Sequence, residues 1–392
     1  MKILHLNDKI EISGGTEVYI KNTIHYLSKI GIESFWIGVY KTGKYTIRIK
    51  ETAEEITSLS LDQATDYLKT FILNNDIDLI HVHSISDPEL LRACFKMVPV
   101  VRTMHEPRMF CPGKGKFWRK SEEVCKVPFG SHCIKHAYTQ GCMNRHPKRI
   151  YNDWKNTSAE IDFSSKKYKA IIVMSQYMKA ESLKVGMPAG VLNLNPAFTE
   201  IRPSAELERP GEIRILFIGR LSRTKGVHYF IQVGLILLET YPNISFDIVG
   251  EGHDGKLFRE MIPANYRKNF IFHGWLSPKK VDSYLSKSFL LLFTSIYPEA
   301  FGLSGIEAMM HGKPVVGFDV GGVSTWLKHE RTGFLVPPKD LMAMAKKVEL
   351  LIKDEKLYLK ISHQAKMLAI QKFSPEVHIK KLNNIYLESL GR

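Results

Sequence analysis

The sequence predicts an α/β protein made of two doubly wound domains, and three observations lead to this prediction. The chain has 392 residues, too many for one ordinary hydrophobic core and suited to two domains of about 180–200 residues each. Short apolar segments alternate with segments of helical length, as in parallel sheets covered on both faces. Each half also opens with the same order of apolar strand, glycine-containing loop and amphipathic helix.

The first half begins with a predicted strand over Ile3–Asn7, followed by a glycine loop over Ser13–Thr16. The helix after this loop carries apolar residues at helical spacing, namely Ile20, Ile24, Leu27 and Ile30. Further strands are predicted at Ser34–Val39, Leu79–His83, Val98–Arg102 and Ala170–Met174.

The second half repeats this order with a strand over Arg214–Ile218 and a loop over Gly219–Gly226. The following helix is marked by Phe230, Val233 and Leu237. Further strands are predicted at Ile244–Val249, Asn269–Phe272, Leu290–Thr294 and Pro314–Phe318. Because ligands of such sheets bind beyond the carboxyl ends of the strands, we expect the ligand site in a cleft between the two domains.

The boundary between the domains is predicted within Asn195–Gly211, where Asn195-Pro196, Arg202-Pro203 and Arg209-Pro210-Gly211 interrupt regular structure. We therefore expect one domain over residues 1–195 and a second over 196–374. A final helix over about 375–392 is expected to pack back on the first domain.

The composition excludes several classes of protein. Hydrophobic residues make up 44% and charged residues 24% of the chain, which fits a soluble globular protein and not a disordered one. No apolar run approaches the roughly 20 residues that cross a bilayer, and the first residues enter a strand without a secretory signal pattern. We expect the protein in the cytoplasm.

Positive charge is concentrated in one part of the chain. The net charge is +15, and Arg102–Arg149 alone holds eleven Lys and Arg against three Asp and Glu. This excess could attract an anionic surface, a phosphorylated ligand or nucleic acid, or could be a solvated basic face. Residues 106–149 show little periodicity, which predicts an insertion with a role of its own.

Four of the five cysteines lie in this insertion: Cys111, Cys125, Cys133 and Cys142. Their gaps of 13, 7 and 8 residues contain no Cys-x-x-Cys pair. A reducing cytoplasm disfavours a disulfide. Two interpretations stay open: a structural zinc site, with His132 or His136 assisting, or unlinked structural thiols. Cys94 stands alone in an apolar context and is predicted to be buried.

One motif extends over Pro298–Met309, between a strand and a short helix that ends near His311. The free N–H groups at the start of such a helix suit a diphosphate. Glu307, one turn into the helix, could accept two ribose hydroxyls, and Glu299 would lie near the sugar attached to the diphosphate. The alternative makes Glu299 a surface residue and Glu307 a carboxylate that favours the helix dipole.

The loop Gly219–Gly226 also follows a strand and offers Arg220 and Lys225 to one anion. Two such cations would stabilise a departing diphosphate, whose negative charge grows as its bond to the sugar breaks. The alternative is an exposed basic turn.

The order and spacing of these segments resemble the family-four retaining glycosyltransferases of the GT-B fold, in which two Rossmann-like domains face each other across a cleft. The resemblance covers almost the entire C-terminal half. Supporting segments are Val249–Gly252, His273–Trp275, Gly312–Val316, Gly321–Gly322 and Thr332–Val336.

This resemblance implies roles for individual residues. Glu299 and Glu307 match the family's paired glutamates, and Arg220 and Lys225 match its diphosphate-binding pair. Phe301, Gly302 and Leu303 match its backbone phosphate contacts, and Gly250 and Ser304 are also expected to bind the donor. No metal or other cofactor is expected for the transfer, and the nucleoside diphosphate sugar, preferably a UDP-sugar, is a co-substrate.

The N-terminal half resembles the family less closely. Gly14 and Gly15 match its glycine pair, which lets the backbone approach the donor phosphates. Val101–Glu106 is similar to its histidine segment, which implies that His105 contacts the donor sugar at the reaction centre; a loop histidine with a local hydrogen bond is the alternative. His81 and His83 are expected to be structural or to face the acceptor.

The resemblance implies a retaining transferase of hexosyl or N-acetylhexosaminyl groups with a donor-binding second domain and an acceptor-side first domain. It would form an α-glycoside from an α-linked donor, in polysaccharide biosynthesis. No residue is an evident nucleophile for a covalent intermediate, which favours displacement on one face of the sugar.

The acceptor is expected to be a glycan or a polyprenyl-diphosphate-linked sugar, with the protein peripheral to an anionic membrane at its inner face. A soluble sugar or small molecule is the alternative acceptor, and a donor-binding protein without activity is a further alternative. Nucleic acid is not expected as a partner, because no segment resembles a nucleic-acid-binding module.

Overall fold

The computed structural model describes residues 1–12, 14–200 and 209–392. Ser13 of the predicted glycine loop and Arg202-Pro203 of the predicted boundary lie outside these residues. The described chain divides into two units. Unit 1 comprises Met1–Ser121, Cys125–Ala197 and Pro375–Arg392, and unit 2 comprises Glu122–Val124 and Phe198–Ser374.

Residues 1–200 contain ten strands and six α-helices among those described. The strands are β1 (Lys2–Asn7), β2 (Glu33–Thr42), β3 (Lys44–Ile49), β4 (Glu55–Leu59), β5 (Leu79–Val82), β6 (Val100–Met104), β7 (Phe117–Trp118), β8 (Glu123–Val124), β9 (Ala170–Val173) and β10 (Leu192–Leu194). The helices are α1 (Gly15–Ser28), α2 (Leu61–Asn74), α3 (Pro88–Cys94), α4 (His132–Thr139), α5 (Pro147–Lys166) and α6 (Gln176–Lys184).

Unit 1 is built on an eight-stranded sheet in the order β10-β9-β6-β5-β1-β2-β3-β4. The sequence predicted only parallel strands. This was wrong at one edge of the sheet, where β3 pairs antiparallel with both β2 and β4. Gly43, in the left-handed region with φ 93°, forms the tight turn between β2 and β3. Strand β4 has no fully buried residue, so it lacks the apolar run that marked the other strands.

The predicted first helix is shorter than its apolar spacing indicated. Helix α1 ends at Ser28, and Ile30 lies beyond it with 51% of its surface exposed. Ile20 and Leu27 are fully buried, so they form the face that packs on the sheet.

Residues 209–392 contain six further strands and eight further α-helices, the last of which belongs to unit 1. The strands are β11 (Arg214–Ile218), β12 (Ser245–Val249), β13 (Phe270–Gly274), β14 (Leu290–Phe293), β15 (Val315–Phe318) and β16 (Gly333–Val336). The helices are α7 (Val227–Thr240), α8 (Gly255–Glu260), α9 (Pro278–Lys287), α10 (Leu303–Met310), α11 (Val323–Trp326), α12 (Leu341–Lys353), α13 (Glu355–Phe373) and α14 (Pro375–Ser389).

The sheet of unit 2 is parallel throughout, with the order β13-β12-β11-β14-β15-β16. In order of appearance along the chain this is 3-2-1-4-5-6, the strand order of the Rossmann fold. The chain changes direction across the sheet between β11 and β14, and ligands of such sheets bind at this switch point.

Helix α14 contributes to the core of unit 1. Its buried residues Ile379, Leu382, Ile385 and Tyr386 pack in one cluster with Ile3, Leu27, Leu79, Val101 and Ile172. The helix therefore covers the sheet near β1, β5 and β6 by burying apolar surface.

The insertion over residues 106–149 is more ordered than its weak periodicity indicated. It contains the two-stranded sheet of β7 and β8, helix α4 and the first residues of α5. Ala137, Met143 and Ile150 form a small apolar cluster with Cys142. Strands of two residues and a single short helix are too brief to produce a readable period in the sequence.

Part of the positive charge of this region is internal. Arg102 is 2% exposed and pairs with Glu160 at 3.1 Å, and Lys116 pairs with Glu181 at 2.9 Å with both side chains buried. Two of the eleven basic residues counted over Arg102–Arg149 therefore do not add to the basic surface. Among the described helices, none is both long and apolar enough to span a membrane.

Buried histidines line the centre of the sheet in unit 1. His5 Nδ1 lies 3.1 Å from His83 Nε2, and His83 Nδ1 lies 3.0 Å from His105 Nε2. His81 bonds through its two nitrogens to the Tyr386 hydroxyl at 2.6 Å and to Thr103 Oγ1 at 2.7 Å. These bonds join β1, β5 and β6 to α14.

Burial keeps these histidines neutral. It lowers the pKa of His5 to about 3 and that of His105 to about 3, where Arg102 and Arg108 add to the effect. Burial also lowers the pKa of His81 and of His83, and neighbouring histidines add to it.

We predict that replacing Glu160 by Gln lowers the free energy of unfolding by about 3–5 kcal/mol, because the Arg102 charge would lose its buried partner. The Tyr168 hydroxyl, which donates to Glu160 at 2.8 Å, would keep an acceptor. The measurement is urea unfolding. The control is Asp162→Asn on the same helix, whose exposed pair with Lys166 should contribute at most about 1 kcal/mol. Equal effects of the two substitutions would contradict the prediction.

We also predict that the protein loses stability between pH 7 and pH 5. A histidine whose pKa is lowered in the folded state contributes full stability above its unfolded pKa of about 6.5, and this contribution falls as the pH drops toward the folded value. Each such histidine adds a slope of up to about 1.4 kcal/mol per pH unit.

Urea unfolding at several pH values between 5 and 7 measures this slope. His5→Gln should reduce the slope by about 1.4 kcal/mol per pH unit, the contribution of one proton. His363→Gln, at an exposed position, should leave the slope unchanged. A free energy of unfolding that stays constant over this range would exclude neutral buried histidines.

Candidate functional site

Three loops of unit 2 meet at the carboxyl ends of β11, β12 and β14, at the switch point of the sheet. Gly250 has φ 134°, and a Cβ there would lie 2.0 Å from the carbonyl oxygen of Gly219. A Cβ on Gly252 would lie 2.1 Å from the Leu221 carbonyl oxygen. The loops after β11 and β12 therefore touch backbone to backbone, which only glycine permits.

The loop after β11 packs equally closely on the loop after β14. Gly226 has φ 74°, and a Cβ there would lie 1.8 Å from the Thr294 carbonyl oxygen. The N–H groups of Ile296 and Tyr297 both donate to the Thr224 carbonyl, at 3.1 and 3.2 Å. These contacts fix the position of Lys225, which lies between Thr224 and Gly226.

A fourth segment holds the backbone of Glu299. The N–H of Gly322 donates to the Glu299 carbonyl at 2.7 Å, and a Cβ on Gly321 would lie 2.5 Å from the same oxygen. The Gly321–Gly322 segment that the sequence singled out thus lies against the loop after β14.

Lys225 and Glu299 form an ion pair, with 2.5 Å between Nζ and Oε1. The Ser295 hydroxyl donates to the same oxygen at 2.7 Å. The Glu299 side chain is 11% exposed and that of Lys225 is 36% exposed. The sequence predicted separate roles for the two residues, and the structure brings their side chains together. Ser295 was missed, although it lies two residues after the end of β14, where ligands are expected.

Arg220, the second predicted cation, directly follows Gly219 at the end of β11 and is exposed. No hydrogen bond or ion pair joins its guanidinium to any residue within the described ranges. Its charge can therefore meet an anion from solution without first breaking an ion pair.

Helix α10 begins at this end of the sheet, directly after Gly302, whose φ is 100°. The indole N–H of Trp326 donates to the Phe301 carbonyl at 2.6 Å, and a Cβ on Gly305 would lie 2.1 Å from the same ring. Trp326 thus sets where the helix starts. The first backbone N–H groups of a helix have no hydrogen-bond partner within that helix. In α10 these groups belong to residues such as Leu303 and Ser304.

Glu307 lies one turn into α10 and is partly exposed. The backbone N–H of His311 bonds to its carbonyl, so the residue is held within the helix. The sequence predicted correctly that Glu307 lies in this helix. The apolar residues Ile306, Met309 and Met310 form the buried side of the helix.

The corresponding strand ends of unit 1 hold Gly14 and His105. Gly14 precedes α1, and a Cβ there would lie 3.4 Å from the buried Glu17 carboxylate. Asn7, at the end of β1, donates to Glu17 Oε1 at 3.5 Å and accepts from the Ser84 N–H at 3.1 Å. The sequence assigned no functional role to Asn7 or Glu17, because a polar residue near a strand end is marked as part of a site only by its partners in the fold.

His105 follows β6 and is half-buried at the end of the histidine chain that His5 and His83 form. His5, His81 and His83 are the one group of three metal-ligand side chains within 4.8 Å of one another in the described part of the chain. Both nitrogens of His81 and of His83 are engaged in hydrogen bonds. The arrangement is therefore a hydrogen-bonded network and not a metal site.

Known proteins resemble this chain in sequence and in fold. Residues 199–367 match the family model described as "Glycosyl transferases group 1". The alpha-D-kanosaminyltransferase of Streptomyces kanamyceticus is 31% identical over 196 residues, which are 49% of this chain and 50% of the relative, so the alignment spans half of that protein. The 2-deoxystreptamine N-acetyl-D-glucosaminyltransferase of Niallia circulans is 24% identical and covers 95% of this chain and 97% of the relative.

The fold is also that of a solved structure. The structure of Anabaena Alr3699/HepE in complex with UDP superimposes with a TM-score of 0.70 at 17% sequence identity, covering 98% of this chain and 99% of the other. At this identity the likeness shows the fold alone. Residues 199–367 thus match the group 1 glycosyltransferase family, and the chain as a whole has the GT-B fold.

Proposed function

We propose that the protein transfers a sugar from a nucleoside diphosphate sugar, preferably a UDP-sugar, to an acceptor hydroxyl with retention of anomeric configuration. The observation that carries this proposal is the pair of Lys225 and Glu299 at the switch point of unit 2, with Arg220 at the end of the neighbouring strand. The UDP bound to the Anabaena protein of the same fold supports the choice of nucleotide.

Each group at this edge of the sheet has a role in the proposal. Arg220 and Lys225 bind the diphosphate, together with backbone groups of Phe301, Gly302, Leu303 and Ser304 at the start of α10. Glu307 accepts the ribose hydroxyls, Glu299 binds the transferred sugar, and Gly250 keeps the site open to the donor.

The ion pair suggests an order of events. Without donor, Lys225 neutralises Glu299, so a mostly buried carboxylate is not left uncompensated. A bound diphosphate competes for the Lys225 ammonium group. The Glu299 carboxylate, still held by Ser295, is then available to accept hydrogen bonds from sugar hydroxyls.

Transfer follows by displacement on one face of the sugar. The acceptor oxygen forms a bond to the anomeric carbon while the bond from that carbon to the diphosphate oxygen breaks. The electron pair goes to the leaving oxygen, which also takes the acceptor proton. Arg220 and Lys225 stabilise the charge that grows on the diphosphate.

We assign unit 2 to the donor and unit 1 to the acceptor side. By its resemblance to the family, His105 of unit 1 contacts the transferred sugar, and Gly14 and Gly15 approach the donor phosphates. Because burial lowers the pKa of His105 to about 3, this contact is a hydrogen bond from a neutral imidazole and not a charge.

We further propose an anionic acceptor, such as a polyprenyl-diphosphate-linked sugar at the inner face of a membrane. Two adjoining surface depressions of about 690 and 430 Å³ in the insertion share Arg149, and Lys148 and Arg119 line one each. Their charge suits phosphate groups. A soluble small-molecule acceptor is the second candidate, which the name of the Niallia circulans relative favours.

For the donor site, we predict that Arg220→Ala, Lys225→Ala and Glu299→Ala each lower kcat by about a hundredfold or more, since each removes a charge that acts on the reacting groups. The measurement is the steady-state rate with the donor that gives the largest thermal shift in a panel of UDP-, GDP- and ADP-sugars. We expect a UDP-sugar to give that shift.

The matched control for this experiment is Lys256→Ala in α8, whose side chain is 90% exposed and should not affect turnover. Near-normal rates in all three site variants would show that the site is misplaced. The absence of a thermal shift with every donor would exclude donor binding by this chain.

For the acceptor, we predict that replacing Arg119, Lys120, Arg145 and Lys148 by Gln weakens binding to anionic liposomes by about 1 kcal/mol per residue. All four residues are exposed. The thermal shift with the donor should not change. Co-sedimentation with vesicles of increasing anionic lipid content measures the effect.

A control variant with the same loss of charge replaces the exposed Lys346, Lys353, Lys356 and Lys360 of α12 and α13. It should bind liposomes more strongly than the insertion variant. Equal binding by both variants would contradict a membrane-facing insertion and favour the soluble acceptor.

A further inference from the structure

The four cysteines of the insertion surround one cavity. Cys111, Cys125, Cys133 and Cys142 all line it, and His136 lies on the same wall. The cavity leaves about 20 Å³, room for roughly one water-sized group. The sulfurs reach it from separate parts of the chain, because Cys125 follows β8, Cys133 lies in α4 and Cys142 lies beyond α4.

The polypeptide around the cavity is shaped to bring these residues together. A Cβ on Gly113 would lie 2.6 Å from the Cys142 carbonyl oxygen and 3.7 Å from Cys111 Sγ. The turn after Cys111 can therefore approach Cys142 only with glycine at this position.

The cysteines are free, and two of them already have hydrogen-bond partners. The backbone N–H of Lys116 donates to Cys111 Sγ at 3.4 Å, whereas the Cys125 thiol donates to the Val127 carbonyl oxygen at 3.7 Å. The first bond favours the Cys111 thiolate, which is the form that binds metals, and the second is lost when the Cys125 thiol gives up its proton.

The apolar cluster that contains Cys142 is small. Ala137 and Met143 of the insertion form it with Ile150 of α5. Segments of about 40 residues rarely bury enough apolar surface for stability without a disulfide or a metal.

We propose that Cys111, Cys125, Cys133 and Cys142 together bind a metal centre through their sulfurs. Four thiolates select zinc or an iron–sulfur cluster over magnesium, calcium or manganese. Each thiol gives up its proton on binding. The centre links α4 to the loops that carry Cys111, Cys125 and Cys142, and it has no role in the chemistry of the transfer.

The spacing of the sulfurs bears on which centre is bound. No three of these sulfurs lie within 4.8 Å of one another. Zinc with bonds of about 2.3 Å in a tetrahedron would hold its sulfurs about 3.8 Å apart, so they would have to move inward. An iron–sulfur cluster, whose cysteines bind separate iron atoms, fits the wider spacing of the sulfurs, but the cavity of about 20 Å³ would have to enlarge to hold it.

The test is elemental analysis of the full chain, purified anaerobically without chelators or a metal-affinity tag. Zinc, iron and acid-labile sulfide are measured per chain. One zinc per chain identifies the mononuclear centre, and iron with a similar amount of sulfide identifies the cluster. The double variant Cys133→Ser/Cys142→Ser should lose the metal, whereas Cys94→Ser, at a buried position in α3, should keep it.

Binding of the UDP-sugar by the double variant serves as the folding control, because the proposed donor site lies in unit 2. If that variant does not fold, cobalt loading of the wild-type protein gives the answer through the absorption of thiolate-bound cobalt. Wild-type protein without metal, metal retained by the double variant, or cobalt without thiolate absorption would each overturn the proposal. None of these results bears on the donor site.

Discussion

The pairing of Lys225 with Glu299 is the interaction on which the proposed chemistry depends, and glycine contacts between loops make it possible. The loops after β11 and β14 approach so closely that a Cβ at Gly226 would overlap the Thr294 carbonyl. This approach places an ammonium and a carboxylate 2.5 Å apart at the switch point of a parallel sheet. The site is preorganised in this way, because an anionic ligand can replace Glu299 as the partner of Lys225 without a movement of the backbone.

The two units reach comparable positions at their strand ends with different chemistry. Unit 2 presents charged groups that suit a diphosphate. Unit 1 instead carries the chain of His5, His83 and His105, which burial keeps neutral. In the proposed reaction, this neutral chain orients the His105 imidazole without adding positive charge near the transferred sugar. The network also ties β1, β5 and β6 to α14, so the orientation of His105 and the stability of unit 1 depend on the same bonds.

The sequence predicted the parallel strands well, because buried parallel strands are continuous apolar runs such as Ile215–Phe217 and Leu290–Leu292. It failed at β3 and β4, where antiparallel pairing at an edge weakens that signal, and in the insertion, whose elements are too short for a period. Motif spacing placed Lys225 and Glu299 at one site, but their direct contact and the part of Ser295 depend on loop packing. Likewise, the spacing of the cysteines left their arrangement open, because only the folded chain brings them to one cavity.

The most direct test of this account is a crystal structure of the protein soaked with a UDP-sugar. The account predicts the diphosphate within hydrogen-bond distance of Arg220, Lys225 and the start of α10. It also predicts that Lys225 Nζ has moved from Glu299 toward the phosphates, while Ser295 keeps its bond to the carboxylate. Nucleotide bound elsewhere on unit 2, or an unchanged Lys225–Glu299 pair beside a bound nucleotide, would contradict the account.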